Sequence, residues 1–315
     1  MATIETISVT EPFLDVACAL GEGPFVEEEQ GTLRFVDIVR KELHTVALSG
    51  DSSTHRIVGL DDSVGVTADI EGRNNNNEFL VAAKRGFALL DRNTGKLSYI
   101  KKVYEDDAEM AERMRFNDGA VDSRGRFWAG TMNDFHVEEL KAEGTVFRLD
   151  PDLSLHRMIE NVSIPNGIGW SPDDKTMYFT DSPSRGIYAY DYAADAGTIS
   201  NRRVFFQLGE DDGSGATAAA VLDGCAVDAD GNVWAAVHEG SSVLKISPQG
   251  EVLAKVQLPA WKITCPVFAQ GGVMFVTTAG AAKEDGPPEG SKAHGAVFKV
   301  HTGTRGMPVN KFGPF

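Results

Sequence analysis

The sequence predicts an all-β protein in which one strand–turn–strand unit recurs along the chain. Glycine is abundant, at 33 of 315 residues, and short runs rich in valine, threonine and aromatic residues alternate with turns that contain glycine. These two features are typical of many short strands joined by tight turns. The clearest copies of the unit are the hairpins at residues 121–131, 169–181 and 227–237.

The spacing of the unit limits the possible folds further. Its copies begin near residues 25, 65, 120, 168, 225 and 267, at intervals of 40, 55, 48, 57 and 42 residues. A four-strand unit that recurs at about 40–50 residues is the signature of a β-propeller blade. A pair of two-sheet sandwiches, the alternative all-β arrangement, does not predict so regular a repeat. We therefore expect a six-bladed β-propeller with four-stranded antiparallel blades around a central channel, formed as a single domain by residues 1–315.

In chain order, the predicted elements begin with an extended lead-in over residues 1–15, where residues 7–10 alternate as a strand does. The first blade then needs four strands, and short apolar runs supply them at residues 25–26, 33–37, 43–46 and 55–58. In later blades the hairpin is followed by a further strand, as at residues 144–149, 186–191 and 242–246.

Three stretches interrupt the repeat. Residues 104–114 predict a short helix or a loop leading into the third blade, residues 134–143 predict a second short helix, and residues 280–295 predict a long loop. Functional loops are commonly displayed on a rigid scaffold, so each stretch is either part of a lid or a solvated loop.

The composition limits the partners and the compartment. The formal net charge of −16, from 30 basic and 46 acidic residues, argues against nucleic-acid binding, which needs a basic surface. The three cysteines are widely spaced, which predicts neither a disulfide framework nor a cysteine metal site. Neither a secretory leader pattern nor an apolar run of membrane-spanning length is evident, so we expect a cytoplasmic protein without a membrane partner. Propellers have few exposed strand edges, which makes a monomer the expected state.

A short phrase precedes four of the predicted inner strands: a carboxylate or amide, then a glycine, then an apolar run. The polar residues are Glu22, Asn117 or Asp118, Asn166 and Asp223. In a propeller the innermost strand of each blade lines the channel, so these side chains should point into one channel mouth. One such phrase alone is most simply a turn, but four in equivalent places predict a shared site.

Converging acidic and amide groups need a partner, and a divalent cation is the simplest one. Glu22 and Asp223 would balance its charge, and Asn166 would add a neutral oxygen. An all-oxygen set suits Ca²⁺ or Mg²⁺ and is compatible with Mn²⁺ and Zn²⁺. So few protein ligands leave positions for water and substrate, and the fork of Arg115 could hold substrate hydroxyl or carbonyl oxygens. The alternative is a non-enzymatic, calcium-binding propeller whose channel ion is structural.

Seven motifs, taken together and in order, resemble the regucalcin/gluconolactonase family of six-bladed lactonases, also called SMP-30-like. They are LGEGP at 20–24, RFNDG at 115–119, AGTM at 129–132, IPNG at 164–167, SNRR at 200–203, LDG at 222–224 and GAVFKV at 295–300. The resemblance covers nearly the whole chain. It implies that Glu22, Asn166 and Asp223 bind one divalent cation, with Ca²⁺ the first expectation. It also implies that Arg115 and Asn117 hold a sugar lactone, with Asp118 at the channel mouth.

The resemblance further implies hydrolysis of an aldonolactone to the aldonic acid. In the mechanism we expect, the metal polarises the carbonyl and Asp223 acts as general base. Other esters or phosphotriesters are the alternative substrates. One departure concerns the residues after the Gly-Thr-Met phrase, where vertebrate members carry acidic residues that help to contact the substrate. Asp134 replaces one of these acids as a substrate-binding residue, but Phe135 stands in place of another, which predicts a difference in specificity.

Overall fold

The computed structural model describes residues 4–73, 77–209 and 216–314, and its strands form six sheets arranged as blades around one channel. After β1 (Glu5–Ser8), blades one to three contain β2–β5 (Gly21–Glu27, Thr32–Asp37, Glu42–Ala47, Arg56–Gly59), β6–β9 (Val64–Ala68, Glu78–Ala83, Gly86–Asp91, Leu97–Lys102) and β10–β13 (Met114–Val121, Phe127–Asn133, Gly144–Leu149, Leu155–Val162). Blades four to six contain β14–β17 (Pro165–Trp170, Thr176–Asp181, Gly186–Ala193, Thr198–Gln207), β18–β21 (Val221–Val227, Val233–His238, Ser242–Ile246, Val252–Gln257) and β22–β24 (Ile263–Ala269, Val273–Thr278, Phe298–His301).

The first strand of each blade is its inner strand, and neighbouring inner strands contact one another around a closed ring. The predicted six-bladed β-propeller is therefore confirmed. All six hairpin starts inferred from the spacing fall on inner strands. Hydrophobic clusters fill the space between each pair of adjacent blades, so burial between blades holds the ring together.

The lead-in is bound to the last two blades. β1 pairs in parallel with β21 and gives the fifth blade a fifth strand, with Glu5 opposite Ala254. The sixth blade has three described strands, and an antiparallel bridge between Leu14 and Val297 lies beside β24, where a fourth strand would run. The strand predicted at residues 7–10 is thus present, shifted to 5–8, and its partner is an outer edge that no local pattern indicates.

The predicted loops and helices are partly confirmed. Helix α1 (Ala108–Arg113) lies within the stretch 104–114, with the Asp107 carboxylate accepting from the Met110 N–H at its N-terminus. The short helix predicted at residues 134–143 is wrong, because that stretch consists of turns and bends. Its end is held by the Asn133 side chain, whose Oδ1 accepts from the Lys141 N–H at 2.7 Å. None of the described helices is long and apolar enough to cross a membrane.

An aspartate–tryptophan pair explains why the hairpins of blades three and five share the pattern Val-Asp-x-x-Gly-x-x-Trp-Ala. Trp128 Nε1 donates to Asp122 Oδ2 at 2.8 Å, and Trp234 Nε1 donates to Asp228 Oδ2 at 2.9 Å. Each aspartate also accepts N–H groups of its own turn, including that of Asn232 at 2.8 Å from Asp228 Oδ1. One carboxylate therefore fixes both the turn and a fully buried indole.

A buried ionic network ties blades one and two together at the end of the channel opposite the predicted site. The Arg34 guanidinium donates to Glu27 at 2.7 Å and to Asp69 at 2.6 Å, and it lies 3.8 Å from the centre of the Phe25 ring. Arg92 also donates to Glu27. Burial opposes ionisation of Glu27, but these two arginines outweigh it and lower the pKa of Glu27 to about 2.

Candidate functional site

Every inner strand has a register irregularity near its start, at the same level of the ring. The irregularities fall between Glu22 and Phe25, Val64 and Val66, Phe116 and Gly119, Asn166 and Ile168, Leu222 and Cys225, and Ile263 and Pro266. A bulge leaves a residue outside the ladder and re-aims its side chain. The predicted polar residues lie in or at the edge of four of these bulges, which explains how one level of the channel collects them.

Glycines at this level allow adjacent inner strands to approach closely. A Cβ added at Gly65 would lie 1.9 Å from the carbonyl oxygen of Asn117, and one at Gly167 would lie 2.9 Å from that of Asp223. Three glycines of the sequence phrase, Gly23, Gly167 and Gly224, thus make room for the neighbouring blade, whereas a Cβ at Gly119 would meet β11 of its own blade.

Six of the seven predicted site residues form one buried cluster. They are Glu22, Arg115, Asn117, Asp118, Asn166 and Asp223, each less than 8% exposed. Arg115 Nη1 donates to Asn117 Oδ1 at 2.9 Å, and Asn117 Nδ2 donates to Asn166 Oδ1 at 3.0 Å. Asn117 Nδ2 also donates to the Pro165 carbonyl at 2.9 Å. This chain of hydrogen bonds joins blade three to blade four and fixes the orientation of the arginine.

Three carboxylates dominate the electrostatics of the cluster. Burial, followed by the charges of Asp223 and Asp118, raises the pKa of Glu22 well above its usual range. Burial and the charge of Asp118 do the same for Asp223, and burial raises the pKa of Asp118 to about 6. Asp223 Oδ1 is buried and has no hydrogen-bond partner. Three carboxyl groups therefore face one another, and the protein alone supplies too little counter-charge to keep all of them ionised.

This arrangement fits a bound divalent cation. Oxygen donors of the type that hard cations prefer surround a place where the protein supplies too little positive charge. Within the described ranges, no group of three or more His, Cys, Asp or Glu side chains is arranged as a metal cluster. The expected ligand set of Glu22, Asn166 and Asp223 has only two such side chains and an amide.

The seventh predicted residue, Asp134, lies beside Arg115 at the rim, which is the edge of the channel mouth. Its Oδ1 is 4.0 Å from Arg115 Nε, and its Oδ2 forms an ion pair with Lys84. The pKa of Asp134 is lowered because the Lys84 contact outweighs partial burial. The Phe135 ring covers Arg115, with its centre 4.2 Å from the guanidinium carbon, and is 53% exposed. His136 Nδ1 is 3.6 Å from Asp134 Oδ2, so this half-exposed histidine contacts the rim.

Sequence reasoning did not find two residues that position the cluster. Ser182 Oγ accepts from Asn166 Nδ2 at 2.8 Å and donates to the Leu222 carbonyl at 2.6 Å, which ties blade four to blade five. Lys84, in the turn after β7, reaches across to Asp134 in blade three. Both contacts are made between blades, and neither residue belongs to the repeated phrase.

Comparisons with known proteins agree with this architecture. A family model described as the SMP-30/Gluconolactonase/LRE-like region matches residues 20–280. Regucalcin of Xenopus laevis is 33% identical over 307 residues, covering 93% of this chain and 94% of that protein. Pentonolactonase XacC of Haloferax volcanii is 30% identical over 306 residues, covering 94% and 95% respectively. Among solved structures, a luciferin-regenerating enzyme superposes with a TM-score of 0.83 at 28% identity, covering 95% of this chain and 98% of that one.

Proposed function

The chain belongs to the SMP-30/gluconolactonase/LRE-like family, and from this premise we propose that it is a lactonase that hydrolyses a sugar lactone to the open-chain acid. Two relatives that match 84% and 94% of this chain are named as lactonases, which supports the reaction class. The observation that carries the proposal is the buried cluster itself. Unpaired carboxylate oxygen and an oriented guanidinium meet at one level of the channel, as a site for a hydroxyl-rich ester requires.

We assign Glu22, Asn166 and Asp223 as ligands of one divalent cation, with Ca²⁺ the first expectation. Neighbours named as regucalcin and as a calcium-binding protein support a divalent cation. When bound, the cation supplies Lewis-acid polarisation of the lactone carbonyl. Its positive charge would also offset the burial of three carboxyl groups at one place.

Side chains of the protein bind the substrate and transfer the proton. Arg115 holds substrate oxygens, because its Nε is buried without a hydrogen-bond partner while its Nη1 is fixed by Asn117. Asn117 contacts a substrate hydroxyl through Oδ1, because its Nδ2 already donates to Pro165 and Asn166. Asp223 Oδ1, also unpartnered, accepts a proton from the attacking water as general base. Water oxygen bonds to the carbonyl carbon, the ring C–O bond breaks, and the proton leaves with the ring oxygen as a hydroxyl group. Asp118 and Asp134 are proposed to contact the substrate, and we propose that the protein acts as a cytoplasmic monomer.

The test replaces Asp223 by Ala and measures both bound metal and hydrolysis across a panel of aldonolactones. General-base catalysis contributes about 10²–10⁴-fold, so we expect kcat/KM to fall by at least about 100-fold and bound metal to decrease. The matched control is Asp230→Ala, an exposed aspartate in the same blade. An Asp223→Ala variant with full activity would exclude the proposed role.

A second experiment separates the enzyme from its alternatives. Acid release from each lactone is followed with and without EDTA, and then after each metal is restored. Loss with EDTA and recovery with one cation supports metal-dependent lactone hydrolysis. If only aryl esters or phosphotriesters are hydrolysed, those compounds and not a lactone are the substrates. If none of these compounds is hydrolysed, the result favours a binding protein.

A further inference from the structure

Below the carboxylates, the channel contains a cavity of about 310 Å³ that the lactone reaction does not use. All six inner strands line it, and it extends from Asp118 at its upper end to residues 307–310 near the C-terminus. Residues of the turns after β10 and β14 line its lower end, on the face of the propeller opposite Arg115 and Asp134. We call this space the channel cavity.

The walls of the channel cavity are mainly apolar. Three aromatic side chains, Phe25, Trp170 and Phe268, contribute to them, together with valine, isoleucine, alanine and proline. These aromatic residues keep 8–9% exposure, whereas Phe35 and Phe127, in the cores between blades, have none. Apolar lining with residual exposure marks a preformed space rather than a packing gap.

The C-terminal segment forms the floor and is held by several blades. The Met307 N–H donates to the Val227 carbonyl at 3.0 Å, and Asn310 Nδ2 donates to the Val121 carbonyl at 3.1 Å. The Phe312 N–H donates to the Asp69 carbonyl at 2.8 Å. Contacts to three inner-strand ends fix this segment across the channel, so the cavity exists without a ligand.

The chemistry of the walls selects the ligand. The charged side chains that line the cavity, Asp118 and Asp174, are both acidic and disfavour an anion. A cation would lose its hydration against apolar walls. The volume is near the lower end of ligand pockets, roughly 300–1,000 Å³, which limits the ligand to a small molecule. Aromatic walls favour stacked or edge-to-face contacts with a planar ring.

We propose that the channel cavity is a second binding site, which takes a neutral aromatic small molecule through the face opposite the lactone site. The two sites share only Asp118, whose carboxylate belongs to the cluster above and also borders the cavity below. The binding site does not depend on the proposed lactonase activity, since its ligand and its entrance are both different.

The test is a titration of the full chain with N-phenyl-1-naphthylamine, a neutral fluorescent probe of apolar sites. We expect saturable, blue-shifted emission at one probe per chain, and a melting temperature that rises with probe concentration. Ala120→Phe places a ring in the cavity and should weaken binding at least tenfold. Ala193→Phe, at an exposed position in β16, is the matched control and should bind as the wild type does.

The outcomes distinguish a site from non-specific adsorption. Absence of saturation, or equal affinity of the Ala120→Phe and wild-type proteins, would overturn the proposal. Circular dichroism checks that Ala120→Phe is folded. Val309→Trp, at a 47% exposed residue that borders the cavity, provides a second variant and should slow probe association severalfold. If an aldonolactone displaces the bound probe, the two sites are not separate and the proposal is overturned.

Discussion

Gly65 is the position where we expect a single methyl group to disturb the site most. It lies on β6, and a Cβ added there would be 1.9 Å from the carbonyl oxygen of Asn117 and 2.7 Å from its carbonyl carbon. Ordinary contact begins at about 3.4 Å, so the two inner strands would have to separate by about 1.5 Å. Asn117 links Arg115 to Asn166, and this displacement would therefore move both halves of the site.

The magnitude follows from the nature of the clash. Overpacking of a well-packed interior costs about 1–3 kcal/mol, and Gly65→Ala should be in the upper part of this range because backbone atoms cannot rotate away. Misplacement of reacting groups by about 1 Å can cost roughly 10²-fold in rate. We expect the free energy of unfolding to fall by about 2–3 kcal/mol. We expect kcat/KM to fall by roughly 10²-fold.

Urea unfolding followed by circular dichroism gives the first quantity, and lactone hydrolysis gives the second. Gly59→Ala is the matched control, because a Cβ at that strand residue meets no atom within 4 Å. The control should change stability by less than about 0.5 kcal/mol. If Gly65→Ala unfolds with the wild-type free energy and keeps full activity, the close approach of the two inner strands is not required.

Three further predictions concern a buried acid, the rim and a turn. The folded-state pKa of Glu27, about 2, is below its ordinary value of 4.5, so its contribution to stability is complete above pH 4.5 and is lost as pH falls toward 2. Glu27→Gln should flatten that part of the stability curve, measured by urea unfolding at each pH. Phe135→Ala should raise KM for the lactone two- to fivefold, since stacking on Arg115 contributes about 0.5–1 kcal/mol. Asp228→Ala should lower the free energy of unfolding by about 2–4 kcal/mol, because Trp234 and turn N–H groups lose a buried acceptor.

Each of these predictions has a contrary outcome. A wild-type pH profile in the Glu27→Gln protein would show that the arginine contacts do not shift its titration. Leu140→Ala, an exposed apolar residue in the same loop as Phe135, should leave KM unchanged, and an equal effect would remove the role of stacking. Asp230→Ala should leave stability nearly unchanged, and a loss equal to that of Asp228→Ala would indicate a general effect of the turn.

The repeat of the fold could be predicted because its signals are local. Alternating apolar residues, Gly-bearing turns and the spacing of hairpin starts are all properties of short segments. The grouping of Glu22, Asn117, Asn166 and Asp223 followed from the same repeat, since equivalent positions in successive blades meet at one level of a ring. Their roles as metal ligands, substrate contacts and general base stay predictions.

The remaining features depend on contacts between distant segments. Lys84 and Ser182 act across blades, and no neighbouring residue marks them in the sequence. The parallel addition of β1 to β21 satisfies an edge that lies far along the chain. Residues 134–143 contain good helix formers, but hydrogen bonds to Asn133 and the pairing of Glu143 with Arg113 hold them as a loop. Tertiary contacts override helix propensity there.

The binding of residues 5–14 to the fifth and sixth blades has a consequence for biosynthesis. Glu5 and Leu14 lie 249 and 283 residues before their partners, Ala254 and Val297, so this closure has a very high contact order and should be slow. Until then, the outer edges of the last blades are open to pairing with another chain. A nascent chain is thus most exposed to aggregation late in translation, when five blades exist and the ring is still open.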